Sequence, residues 1–564
     1  MTETILPLSD QQLGGSPFHL DGDALSWVKS RFAELDTDAK LRQLLFVRCA
    51  DLSSEAISAL ASEDWGGIHR FPSFPENELR RSAAQLLESR PIPPLLTADI
   101  EFSEKSSIKA GTPFPNQMAV CASSDPDLAR KMGRLAAREA GYMGFAASWT
   151  PVVDLAINRR SNVVNTRAFS ADVDITICFM RAYLQGMADE GFAGCVKHFP
   201  GDGIDDRDQH FATTHNTMAM PEWRQSFGRI YRAAIEDGVR MIMAGHITLA
   251  AYTAECGENA CCPSGMPASL NGDLLKGLLR NELGYNGVIV SDATGMVGFG
   301  ARGLRRDLVP MCIEHGCDIL LFPGDHAEDL SYLKAGLSSG ALSQRRLDEA
   351  VLRILGLKAS IGLHRSPAIT PESARQRLLG SEEHSAWSHD VARRAVTLVK
   401  DTQSLLPLSP ERHRRILLSE MGPRRSPSAP LPSLRVAEIL EMRGFEVTRH
   451  EPGSPIDASR YDVGLYLVAE EGASGKENLG PQWERLHGPF PKTMDRLWHF
   501  LPTVYVSLGT PFLLYHMPEC RTFVNGYSAV LPVQEALVDA LMGTVDFTGT
   551  SPVDAFCGLA EAYE

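Results

Sequence analysis

The chain has 564 residues, 44% of them hydrophobic and 22% charged, an ordinary balance for a globular protein and enough for two or three domains. Its net charge of -15 and isoelectric point near 5.6 argue against nucleic acid or an anionic membrane as the main partner, because both require basic faces. A small neutral ligand is compatible with that charge.

The opening stretch MTETILPLSDQQLGGSPFHL lacks a basic start and a continuous apolar core, and no run of eighteen apolar residues occurs, so a cytoplasmic protein is expected. Eleven cysteines, an odd number without a spaced framework, read as reduced and mostly buried thiols. Cys256, Cys261 and Cys262 form a local group without a C-x-x-C pair, so no metal is expected. No GxxxxGK[ST] motif is present, and no nucleotide or redox cofactor is implied.

Residues 1–39 are set apart as an N-terminal segment. From residue 40 to about 325, eight apolar runs alternate with segments of helical period, as in a (β/α)8 barrel. They begin at Leu41, Gly66, Pro93, Gly144, Gly191, Val239, Gly287 and Cys317. The intervening stretches from Asp127 and Asp174 have an acidic start and a Gly close, as capped helices do. A helix from Leu342 leads to a polar junction with Pro367 and Pro371, giving a barrel domain over 40–365. Over 366–564, a linker helix around SAWSHDVARRAVTLVK precedes apolar runs at Arg414, Asp462, Thr503 and Thr522 with helices between them, which predicts a smaller three-layer α/β/α sandwich. GPRRSPSAPLPS from Gly422 reads as a surface loop.

Asp99, Asp154, Lys197 with His198, His246, Asp292 and Asp325 each close an apolar run, the end at which barrel enzymes assemble their sites. KHFPGDGIDDRDQ from Lys197 runs directly into His210, and VIVSDATGM supplies Asp292. A carboxylate and a nearby proton donor are what cleavage of a glycosidic bond with retention requires. Without its context each residue has a plain structural reading: Asp292 as a helix cap, Asp99 and Asp154 as ion pairs, His246 as a satisfied core histidine, His210 as a solvated loop side chain.

These motifs, together with GTPFPNQMAV from Gly111, SWTPVVDL from Ser148, NTRAFSAD from Asn165, PASLN from Pro267, AVTLVKDTQSLLPL from Ala395 and VYVSLGTPF from Val504, resemble glycoside hydrolase family 3, in its β-N-acetylglucosaminidase-like branch. The resemblance implies Asp292 as nucleophile, an Asp208–His210 acid/base pair, and Asp99, Arg167, Lys197 and His198 as sugar ligands. It implies a retaining exo-acting hydrolase that takes N-acetylglucosamine from small soluble conjugates. A neutral imidazole acid/base also tolerates phosphate in place of water. A β-glucosidase or xylosidase would instead take its acid/base from Glu470, Glu471 or Glu477. A sugar-binding protein without turnover is the non-enzymatic alternative. The chain departs from the family twice: Asp99-Ile100-Glu101-Phe102-Ser103 lacks the usual Glu-Gly-Gly and following arginine, and Gly201-Asp202-Gly203 replaces Gly-His-Gly.

Overall fold

The computed structural model describes residues 7–88, 90–102, 107–365, 369–423 and 433–563. Residues 1–6 of the N-terminal segment, Ser103, Pro367 and residues 424–432 of the Pro/Ser-rich stretch lie outside them.

Each of the eight apolar runs in the first part contains a strand. The strands are β1 (Leu45–Cys49), β2 (Gly67–Arg70), β3 (Leu95–Ala98), β4 (Ala147–Ser148), β5 (Cys195–Phe199), β6 (Thr214–His215), β7 (Met241–Ala244), β8 (Ile247–Thr248), β9 (Val288–Ser291) and β10 (Leu320–Leu321). One parallel sheet has the order β10-β1-β2-β3-β4 and another β5-β7-β9, while β6 and β8 pair separately. Parallel bridges Ala147–Ala193 and Val152–Lys197 join the first sheet to the second at one edge, and Val290–Ile319 does so at the other.

The run from Leu41 begins differently from expectation. Thr37–Gln43 is a helix capped by Asp36, and the strand starts only at Leu45. Lys40, Leu41, Arg42 and Gln43 are straight-chain residues that lose little freedom in a helix. Helices Pro126–Tyr142 and Val173–Asp189 are capped by Asp125 and Asp172, two residues ahead of the expected acidic starts. Helix Gly22–Glu34 packs on helix Gln344–Ser360 and buries Val28 and Phe32, so this stretch joins the core of the first sheets rather than standing apart. Each such large apolar side chain contributes about 1.5–3 kcal/mol when fully buried.

The second part carries β11 (Thr397–Asp401), β12 (Arg415–Met421), β13 (Glu446–Arg449), β14 (Val463–Val468), β15 (Thr503–Ser507) and β16 (Thr522–Asn525). Their order is β11-β16-β15-β14-β12-β13. Only the β11–β16 pair is antiparallel among these described ladders. Leu465 and Leu467 of β14 enter one apolar cluster and Tyr466 and Val468 another, as the two-residue period of a strand buried on both faces dictates. β11 and β13 were not expected. The linker helix, Glu382–Ala395, ends before Thr397-Leu398-Val399, whose β-branched Thr397 and Val399 favour a strand; Thr397 and Leu398 pair with Asn525 and Val524 of β16, and the register shifts at Val399. No helix among the described residues is long and apolar enough to cross a membrane.

Candidate active site

The polar groups at the C-terminal strand ends converge. Lys197 and His198 sit side by side on β5 yet serve different neighbours. The Lys197 ammonium is buried, 3.0 Å from Asp99 and 2.6 Å from Glu101. Burial alone would depress its pKa, but the two carboxylates outweigh that and raise it, so the cation persists. Glu101 in turn accepts from Arg167 Nε at 2.8 Å and from its terminal nitrogen at 3.0 Å, a bidentate fork. Burial works against the Glu101 carboxylate, yet Arg167 and Lys197 hold its pKa below the usual range.

His198 is oriented from behind. Asp154, fully buried, lies 2.6 Å from His198 Nδ1 and accepts from the backbone amides of His198 at 3.1 Å and Asp202 at 2.8 Å. His198 Nε2 is thereby aimed toward Asp292, 3.9 Å from Oδ2. Gly203 follows Asp202 with φ +98°, and a Cβ there would meet Leu155 O at 2.0 Å, so only glycine permits this close turn. Asp202 is also buried; burial first and Asp154 second push its carboxyl up to about 7.

The loop after β5 carries the second pair. Asp208 Oδ1 lies 2.6 Å from His210 Nδ1 and accepts from the His210 amide at 2.9 Å. Its other oxygen accepts from Gly475 N at 3.0 Å, a contact from the segment after β14. Burial raises the Asp208 pKa, but the bonds from His210 and Gly475 leave it lowered overall. Between them Gln209 turns inward, and its Oε1 accepts from the His246 amide at 2.7 Å. The loop is thus pinned at its middle residue while the His210 imidazole stays 39% exposed.

Asp292 directly follows β9, and its Oδ1 accepts from Ala293 N at 2.7 Å. Burial pushes this carboxyl up, but His198, His246 and His210 more than compensate and hold it below the ordinary value. It remains an anion at neutral pH. Asp99, Glu101, Arg167, Lys197, His198, His210 and Asp292 line one cavity of about 160 Å³, together with Trp149, Met243, Phe322 and the second region's Ala473 and Ser474. An anionic carboxylate facing a partly exposed imidazole, beside fixed cations and hydrogen-bond donors, can perform nucleophilic attack and proton transfer on a small polyol.

All seven predicted site residues therefore gather here, with Asp208 directly behind His210. Other strand-end candidates have structural duties. Asp154 supports His198, and Asp325 caps helix His326–Ser339. His246 is fully buried, with Nδ1 2.8 Å from Ser269 Oγ and Nε2 3.0 Å from Ala293 O, the satisfied core histidine of the plain reading. Glu470 is paired with Lys476 at 3.0 Å, Glu471 accepts from Ser528 and Ala529, and Glu477 faces a different cavity. None of the three lines the cavity around Asp292. Asp202 stands behind His198 through Asp154 and is likewise not on the cavity wall. The sulfurs of Cys261 and Cys262 and the Asp273 carboxylate lie within 4.8 Å of one another, with Asp273 accepting both cysteine amides and so closing that loop.

Sequence reasoning missed Glu101 as the counterion shared by two cations, Gln209 as the loop anchor, and the reach of residues 473–475. For Glu101 a signal existed: an acidic residue two positions after Asp99 on the same strand exit points the same way. The other two depend on contacts distant in sequence.

Residues 36–357 match the Glycosyl hydrolase family 3 N terminal domain. The chain is 35% identical over 559 residues to a beta-N-acetylglucosaminidase/beta-glucosidase of Cellulomonas fimi, spanning 97% of this chain and 98% of that one. It is 29% identical over 246 residues to a beta-hexosaminidase of Stenotrophomonas maltophilia, or 42% of this chain and 70% of the relative. Among solved structures, beta-glucoside phosphorylase BglX bound to 2FGlc superposes with a TM-score of 0.91 at 30% identity, over 98% of this chain and all of that one.

Proposed function

The chain belongs to glycoside hydrolase family 3, and from that premise we propose that it releases a single β-linked sugar from small glycosides by double displacement. The observation that carries this is the shared cavity: the anionic Asp292 and the Asp208-backed His210 both face it. Asp292 attacks the anomeric carbon as His210 protonates the departing oxygen, leaving a glycosyl-aspartate. His210 then takes the proton of the incoming acceptor. Asp208 fixes the imidazole tautomer throughout and favours the imidazolium when it forms. Lys197, Asp99, Arg167 and His198 bind the sugar hydroxyls. The preferred sugar is N-acetylglucosamine, with glucose as the alternative, in line with the names of the relatives that cover most of the chain. The bridges at both sheet edges support reading the first two sheets as one closed (β/α)8 barrel over 40–365, followed by an α/β/α sandwich over 366–564.

A fluorinated glycosyl trap followed by mass spectrometry tests the mechanism. A label on Asp292 is expected; a label on another carboxylate, or release of inverted product, overturns it.

Phosphate as acceptor is a second reading, favoured by the likeness to the beta-glucoside phosphorylase and by a neutral imidazole that does not repel an incoming anion as a carboxylate would. Phosphate would then accelerate turnover and yield a glycosyl phosphate. Unchanged rate and product reject it.

A further inference from the structure

His210 has two apolar neighbours on its outer side that the core does not use. Phe211, in the loop after β5, is 64% exposed, and Val297, the first residue of the short helix Val297–Gly300 after β9, is 50% exposed. Their placement is fixed by backbone bonds around the histidine. Phe211 N donates to Asp208 O at 2.9 Å, and Val297 N donates to His210 O at 3.0 Å. The Phe211 ring centroid lies 6.4 Å from that of His210, and the far edge of the ring rests near Gly475. Neither side chain lines the cavity around Asp292. Large apolar groups held in water by a rigid framework mark a contact surface.

We propose that Phe211 and Val297 form the leaving-group subsite, which takes an aglycone with a flat apolar face. This rests on reading His210 as the proton donor. A proton donor must come within about 2.6–3.2 Å of the leaving oxygen. The first atoms of the aglycone beyond that oxygen therefore fall within van der Waals reach of whatever borders the imidazole outside the sugar cavity. On this protein that border includes the Phe211 ring, 6.4 Å from the imidazole, with the exposed Val297 bonded to the His210 backbone. An aromatic alcohol stacks there, and so does the less polar face of a second pyranose, since both present a planar array of C–H or ring carbon to the phenyl face.

The experiment compares three substrates of the same sugar in the parent and in Phe211→Ala: an aryl β-glycoside, a β-linked disaccharide, and the β-glycosyl fluoride, whose leaving group is too small to reach residue 211. The loss in kcat/KM is expected to be about 10-fold greater for the aglycone-bearing substrates than for the fluoride, mainly through KM, with Phe211→Tyr restoring most of it. A selective loss on the aryl glycoside alone assigns the subsite to aromatic aglycones, and a loss on both assigns it to any flat apolar face. Equal losses on all three substrates would mean that Phe211 only holds the loop, and equal retention would mean that the aglycone does not touch it; either overturns the proposal. No turnover of any substrate by the parent overturns the glycosidase reading and the subsite with it. Val297→Asn gives the same contrast from the short helix after β9.

Discussion

The histidines of two Asp–His pairs, His198 and His210, lie twelve positions apart on one segment, each with Nδ1 2.6 Å from its carboxylate, yet the pairs are built for opposite purposes. His198 is buried, and its aspartate is held by two backbone amides of the same segment. His210 is 39% exposed, and its aspartate is held in part by Gly475, which is 267 positions away. A buried, locally fixed imidazole is suited to gripping one ligand atom. An exposed one, steadied by a distant loop, can exchange a proton with whatever enters or leaves. The shared geometry shows that the carboxylate sets the tautomer, while burial and surroundings set the task.

Replacing the two histidines separately should break the symmetry most visibly. His210→Ala is expected to lower kcat/KM by about 10²- to 10⁴-fold on substrates with poor leaving groups, with much smaller losses on activated aryl glycosides and partial rescue by azide. A loss independent of leaving group would deny His210 its proposed proton. His198→Ala should cost about 10- to 100-fold, by the same factor for every leaving group, because the bond lost is to the sugar. A leaving-group dependence there would reverse the two assignments.

A further effect, on stability rather than on rate, concerns the layer behind His198. Asp202 is pushed up to about 7 from its ordinary 3.8. The folded chain thus keeps a proton that the unfolded chain releases above pH 4. Stability from this group is fully present below that pH and is lost as pH rises toward 7. Asp202→Asn should flatten the decline, gaining up to about 4 kcal/mol on the parent between pH 4 and pH 8, as read from urea midpoints at each pH. Parallel pH profiles for the two proteins would show that Asp202 is ionised throughout. No matching effect is expected at Asp208, whose carboxyl is lowered by His210 and Gly475 despite its burial.

Much of this site was readable in the chain before any fold was known. Asp292, Lys197, His198 and Asp99 each end an apolar run, and a parallel strand with covered faces must deliver its last polar residue to the open end. His210 was legible only through the family resemblance of its loop, since by itself a histidine in so polar a loop reads as a solvated side chain.

The sequence by itself determined the alternation of strands and helices and the strand-end location of the polar groups, because both are written in local periodicity, while the pairing of Asp208 with His210 was implied by the family resemblance. Tertiary structure alone decided that Asp154 serves His198, that Glu101 binds two cations, that Gln209 anchors the acid/base loop to the turn after β7 and that Gly475 closes on Asp208. It also turned Thr397–Asp401 into an antiparallel edge strand where helix was expected. Each of these depends on which distant backbone donor or carboxylate fills a hydrogen-bonding vacancy. Local propensity carries no information about a partner tens or hundreds of residues away.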